Sequence, residues 1–327
     1  MAYDPKNGRY LIVWSQKNYG TSIWEIYGRI IPWNSLGTNA PFLIATLGWT
    51  GLDLRKPAVA FGYNHLTGPY RYMVVWQNVS ISSGVPEGIC QNLVSVDGSP
   101  LTFPAYIDPG PNDGFPDITF NVATAQFLVV WEEPGGSSGI DISGRRLSLA
   151  GFNEGNAFSV NADLYDQQHP SVTTNTQHRY LVVWQYDFGG TGTDWDIKGQ
   201  FLDVSGSKVG GVQSIAMTYD NETLPALAAN GGIEEYLTVW RKDTAYGTGI
   251  WGRLLYTDFS ALGSFEIDPP GGRDNMYPAA GCHNSGYLVT YSWDSFDDPS
   301  IYGDIYGRML LEPWVVNPGL WLLLLGN

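Results

Sequence analysis

One short apolar phrase recurs six times along this chain. It reads YLIVW at Tyr10–Trp14, YMVVW at Tyr72–Trp76, FLVVW at Phe127–Trp131, YLVVW at Tyr180–Trp184, YLTVW at Tyr236–Trp240 and, altered, YLVTY at Tyr287–Tyr291. A period of roughly 55 residues marks a repeat architecture, in which no unit buries its apolar faces alone and stacked neighbours do so together. A proline lies upstream of five copies, at Pro57, Pro116, Pro170, Pro225 and Pro278. Downstream comes a second phrase: Ile26–Arg29, Ile142–Arg145, Ile197–Gln200, Ile250–Arg253 and Ile305–Arg308, with Ile89–Asn92 as its divergent copy. Short apolar runs follow, such as Pro41–Ala45, Ala157–Val160, Val212–Ala216 and Ser264–Ile267.

Each phrase reads as a strand. The YLVVW runs are β-branched and aromatic and apolar on both faces, as a strand between two layers must be. The proline is expected to open strand A, where a missing N–H is tolerated. Turn signals such as Asn7-Gly8, Asp97-Gly98 and Ser205-Gly206 separate the strands. Four antiparallel strands per repeat in a closed ring predict an all-β, six-bladed β-propeller. The expectation is one domain over residues 1–327, with blades near 1–55, 56–114, 115–168, 169–223, 224–276 and 277–327. Leu320–Leu325 supplies the last strand, so each blade uses its own repeat.

Gly-His and Trp-Asp pairs, double glycines, Asp boxes and D-x-D-x-D-G calcium loops do not recur in register, which sets aside several propeller families. The P-x-V-A…YLVVW…D-I-Y-G-R/Q pattern resembles a repeat of large secreted or surface proteins of environmental bacteria. That resemblance is strongest at Pro170–Gln200. It implies a propeller and an extracellular or cell-surface setting, and no defined common activity.

Charge narrows the partners. With 17 Lys+Arg against 32 Asp+Glu the net charge is −15, which repels phosphate backbones and excludes nucleic acid as a favoured ligand. No apolar run approaches the length of a membrane span, so no membrane insertion is expected. MAYDPKNGRYLIVW enters the first repeat directly, and the chain reads as the mature region of an extracellular protein, a monomer or one module of a larger surface protein. Cys90 and Cys282 fall in blades that are not neighbours, so both are expected as free thiols.

Recurrence separates scaffold from candidate site. The tryptophans of the repeated phrase, and the acids Glu25, Asp141, Asp196 and Asp304 before the third strand, recur and read as structural. Arg29, Arg145 and Arg308 follow three of these acids four residues later, on the same strand face, and suggest polar contacts around the ring. What does not recur lies in the B–C loops. Blades 1 and 4, opposite in a ring of six, each carry a Trp two residues before the Ile of strand C. Tyr19 and Trp24, with Asp187, Phe188, Asp194 and Trp195, are therefore the candidate ligand-binding residues for a neutral or basic glycan, or for a protein. The acidic loop of blade 6 offers Asp294, Asp297, Asp298 and Asp304 as oxygen ligands for calcium. Formal G-x-S-x-G (135–139) and G-x-G-x-x-G (247–252) strings lack the strand-to-helix setting their chemistry needs. The expected function is an extracellular binding or structural module, leaning away from an enzyme. The alternative is a propeller-type glycoside hydrolase or polysaccharide lyase with its site in the central funnel. A lone, strongly perturbed carboxylate, His or Tyr at the axis would discriminate between them.

Overall fold

The computed structural model describes residues 1–34, 39–46, 51–64, 68–135, 139–175, 179–231, 234–258, 260–270, 274–283, 286–294, 304–311, 315–316 and 322–323. Every regular element among them is a strand. Blade 1 comprises β1 (Ala2–Asp4), β2 (Arg9–Lys17), β3 (Trp24–Pro32) and β4 (Phe42–Ala45). Blade 2 comprises β5 (Leu52–Tyr63), β6 (Tyr70–Ser80), β7 (Pro86–Ser95) and β8 (Ala105–Asp108); blade 3 follows as β9 (Gly114–Asn121), β10 (Gln126–Pro134), β11 (Ile140–Ser148) and β12 (Asn153–Asn161). Blade 4 is β13 (Gln167–Thr174), β14 (Arg179–Asp187), β15 (Trp195–Asp203) and β16 (Lys208–Ala216). Blade 5 is β17 (Asn221–Asn230), β18 (Glu235–Thr244), β19 (Gly247–Tyr256) and β20 (Phe265–Asp268). Blade 6 holds β21 (Asp274–His283), β22 (Gly286–Asp294) and β23 (Asp304–Leu311), with β24 (Val315–Val316) and β25 (Leu322–Leu323) both on β23.

Strands within each sheet pair antiparallel in chain order, and the six sheets form a β-propeller. The pairing Tyr306↔Leu323 in blade 6 matches Tyr27↔Leu43 in blade 1, so the last repeat provides its own outer strand. Contacts divide the chain into two compact units, Met1–Leu164 with blades 1–3 and Tyr165–Asn327 with blades 4–6.

The repeated phrase is apolar on both faces because its alternate residues serve two interfaces. In the first unit Tyr72, Val74 and Trp76 join Ile26, Ile44 and Leu54, whereas Met73 and Val75 join Phe127, Val129 and Trp131. In the second, Tyr236 and Trp240 pack with Leu181, Val183 and Ile197, while Leu237 and Val239 pack with Tyr287 and Val289. Trp76, Trp131, Trp184 and Trp240 are buried, and Trp14 is half-buried. The glycine of the second phrase has its own steric cause. A Cβ on Gly28, Gly199 or Gly252 would lie 2.7, 2.8 or 2.8 Å from the Cδ1 of Ile44, Ile215 or Ile267 on the adjacent strand.

The proline does not open strand A. It lies within the strand at a bulge, where register slips between Arg55 and Ala58, Gln168 and Ser171, Thr223 and Ala226, and Met276 and Ala279. The preceding residue is left-handed in all five copies: Lys56 (φ 52°), Phe115 (48°), His169 (52°), Leu224 (53°) and Tyr277 (50°). A bulge takes the residue out of the ladder, and so removes the objection to proline inside a strand. The second-phrase arginines do link blades, through the preceding blade's outer strand. Arg253 Nη1 donates to Ile215 O (2.7 Å), Arg308 Nη2 to Asp268 Oδ1 (3.1 Å), and Arg145 to Ile107 O. Asn92, standing in the same place, donates to Ile44 O (3.1 Å). Both cysteines are free, Cys90 buried and Cys282 exposed.

Candidate functional site

The start of strand A pairs with the end of strand B, and the end of B with the start of C, as in Gln167↔Tyr186 and Asp187↔Trp195. The B–C loops and the loops entering strand A therefore emerge at one end of each blade, where the acidic and aromatic surplus lies.

In the first unit Tyr19 is 91% exposed in the β2–β3 turn. Trp24 opens β3 half-buried, and its N–H donates to Asp53 Oδ1 at 2.8 Å. The Arg55 guanidinium lies 3.9 Å from the centre of the Trp24 ring and bonds Asp53 Oδ2 at 2.8 Å. One face of that ring is thus already covered by a cation. Glu25 is closed off as well, accepting from Asn18 Nδ2 (3.1 Å), the Tyr27 hydroxyl (3.1 Å) and the Thr46 hydroxyl (2.6 Å). A cleft of about 570 Å³ lies between Ser15, Asp53, Arg55, Lys56 and Gln77 and the 79–86 segment. Near the start of β9, Asp113 is 1% exposed. Burial first, then the Asp108 and Glu133 charges, push its carboxyl up to about 7.

The second unit gathers the residues of blade 4. Asp187 accepts the N–H groups of Thr191 (3.2 Å) and Gly192 (3.0 Å), which fastens its own loop. Phe188 is 54% exposed, and its N–H holds Asp194 O at 2.7 Å. Trp195, half-buried, donates its N–H to Asn221 Oδ1 at 3.2 Å, repeating the contact between Trp24 and Asp53. The next residue departs from the scaffold pattern. Asp196 is 2% exposed and, unlike Glu25, receives no hydrogen bond on either oxygen. Burial, Asp194 and Glu222 raise its carboxyl to about 7 against the opposing pull of Lys198. A buried carboxylate without donors is costly, so the neutral acid is the stable form. Beside it, fully buried Glu222 accepts from Lys242 Nζ at 3.1 Å, from the Thr218 N–H at 3.3 Å and from the Thr218 hydroxyl. Lys242 also reaches Asp220 at 3.2 Å. The loops around this cluster carry Phe188, the fully exposed Tyr219 and the exposed Tyr246.

Tyr19 and Trp24 therefore belong to the first unit, and Asp187, Phe188, Asp194 and Trp195 to the second. The structure brings Asp194 and Trp195 to a cluster centred on Asp196, Glu222 and Lys242; Glu222 belongs to the acidic inter-blade loops of the expected ligand face, whereas Asp196 and Lys242 are not among the sequence candidates. Asp196 recurs with Glu25 and so reads as scaffold; only its lack of donors sets it apart. Lys242 had a legible signal. Two residues after the last residue of the repeated phrase stand Gln16, Asn78, Glu133, Tyr186, Lys242 and Trp293, so the cation is unique there.

Of the calcium residues, Asp297 and Asp298 lie outside the described residues, as does the side chain of Asp294; Asp304 begins β23. Among the described residues no group of three His, Cys, Asp or Glu is placed to hold a metal ion. No helix of the described residues is long and apolar enough to cross a membrane.

No protein-family model matches the chain, and no curated protein matches it. Among solved structures it is similar to a thermostable family-43 glycoside hydrolase, at 11% identity over 84% of this chain and 93% of that one, with a TM-score of 0.50. An α-L-arabinofuranosidase from Lactobacillus brevis matches at 9% identity over 82% and 94% of the two chains, with a TM-score of 0.48. At such identity the likeness is one of fold. It nonetheless corrects the expected function. One solved structure that shares this fold is a glycoside hydrolase, which backs the alternative reading over a binding or structural module. Recurrence makes Asp196 read as scaffold, and it does not reveal which carboxyl is left without donors.

Proposed function

We propose that the chain is a propeller-type glycoside hydrolase, with Asp196 as its acid and Glu222 as the paired carboxylate. The observation that carries this reading is the contrast between two neighbouring buried carboxyls. Asp196 lacks donors and is raised to about 7, while Glu222 is ion-paired with Lys242 at 3.1 Å. Glycoside hydrolysis requires one carboxyl that still holds a proton for the leaving oxygen and another that is ionised, to activate water or attack the sugar. Environments that push the two apart assign those roles.

The exposed rings of Phe188, Tyr219 and Tyr246 suit stacking against sugar faces. Both carboxyls are buried, so substrate access requires the flanking loops, 188–194 and 217–220, to give way. The same reading takes the protein to act outside the cell, as the repeat resemblance implies.

Release of reducing ends from a panel of neutral polysaccharides is the direct test. Asp196→Asn is expected to lower the rate about 10²–10⁴-fold, the usual worth of a general acid. Because the proton must be present, activity is expected to fall as pH rises through about 7. An unaltered rate in Asp196→Asn, or no release from any polysaccharide, defeats the proposal.

A further inference from the structure

We infer that the cleft in the first unit is a second ligand site, one that takes the carboxylate of an acidic sugar. Its volume of about 570 Å³ falls within the range of small-molecule sites. Its charge is unusual for this protein. In a chain of net charge −15, two consecutive cations, Arg55 and Lys56, line one cleft with Asp53 as the only carboxylate among its lining residues. Three other described cations are held by acids, as Arg55 is by Asp53: Arg241 by Asp243 at 2.7 Å, Lys242 by Glu222 at 3.1 Å and Arg308 by Asp268 at 3.1 Å. Lys56 has no carboxylate partner among the described residues; its ammonium lies 4.7 Å from the Phe115 ring centre.

Arg55 is fixed in advance. It lies over the Trp24 ring, bonds Asp53 Oδ2, and Asp53 is itself held by the Trp24 N–H. A guanidinium immobilised in this way loses little further entropy when an oxyanion meets its remaining N–H groups. The neutral groups are donors too. Ser15 Oγ is buried without a partner, and Gln77 Oε1 is taken by the Phe115 N–H at 2.8 Å, which leaves the cleft its NH₂ end. Two cations, one anion and surplus donors select an anion. Val79, Ile81 and Pro86 form an apolar side that a naked ion would not use and that the carbon face of a sugar ring would.

The sugar half of this assignment rests on the hydrolase reading; the anion half rests on the cleft alone. Titration calorimetry of the full chain at low salt, with sodium glucuronate, glucose and sodium sulfate as probes, separates them. Glucuronate is expected to bind, with glucose silent and sulfate about tenfold weaker or more. Lys56→Gln should weaken glucuronate about tenfold with an unchanged unfolding midpoint, while Lys208→Gln, in the other unit, leaves it unaltered. Asp196→Asn should also leave it unaltered, so loss of the hydrolase reading and loss of this site are told apart. Equal binding of glucose, an unaffected Lys56→Gln, or no heat from any probe overturns the site. Sulfate binding as tightly as glucuronate overturns the sugar assignment.

Discussion

Identical placement in the repeat does not give identical chemistry. Glu25 and Asp196 occupy the same position, yet three side-chain donors surround the first and none reaches the second. Trp24 and Trp195 show the converse, since both N–H groups bond the Asp or Asn that enters the next blade. The cysteines make the same point. Cys90 is buried, accepts from Asn78 Nδ2 at 3.1 Å, and burial pushes its thiol up to about 12. Cys282 is exposed as a residue, and partial desolvation of its sulfur and then the Glu235 charge raise its thiol. A thiolate reagent at mildly alkaline pH should label Cys282 in the native chain and reach Cys90 only on unfolding, without reductant. Labelling of both before unfolding would place Cys90 at the surface.

At the level of elements, the bulge in strand A ties the blades together. A left-handed φ on a residue with a side chain costs about 1–2 kcal/mol, and it recurs before all five prolines. What it supplies is a backbone N–H aimed out of the ladder. Gln185 Oε1 accepts that N–H from Leu224 at 3.0 Å, and Gln77 Oε1 accepts it from Phe115 at 2.8 Å. Each glutamine directly follows the repeated tryptophan, so one blade's strand B holds the next blade's strand A. Gln185→Ala should cost about 1–3 kcal/mol in denaturant unfolding, because it strands a donor away from water. Gln213→Ala, on the outer strand β16, should cost under about 0.5 kcal/mol. Equal effects would show that the lock contributes nothing.

Across the whole molecule, acidity sets the response to pH. Asp113 and Asp196 keep a proton up to about 7 in the folded chain, each raised first by burial and then by neighbouring acids. In the unfolded chain an aspartate loses its proton near about 3.9. Between those values the native state binds more protons, so stability is greatest on the acid side and declines as pH rises toward 7. The net charge of −15 acts in the same direction through self-repulsion. The thermal midpoint should be higher near about pH 5 than near about pH 8. The double variant Asp113→Asn, Asp196→Asn should flatten that difference and raise the alkaline midpoint, by about 2–4 °C or more for each kcal/mol recovered. An unchanged slope would mean that both carboxyls ionise normally.

Six blades and their strand order were legible because the repeated phrases are local. The uninterrupted apolar run shows that strand B is buried on both sides, and Tyr72 and Met73 do enter different cores. The place of the proline was not legible, since a bulge depends on which N–H the neighbouring blade can accept. That the B–C and inter-blade loops are acidic and aromatic was legible, but the pairing of Asp196 with Glu222 and Lys242, some 26 and 46 residues further on, appears only when blades 4 and 5 meet. Sequence determines which groups a chain carries and how often. Which of them finds a donor, and which is left to hold its own proton, is decided by packing between strands distant in the chain.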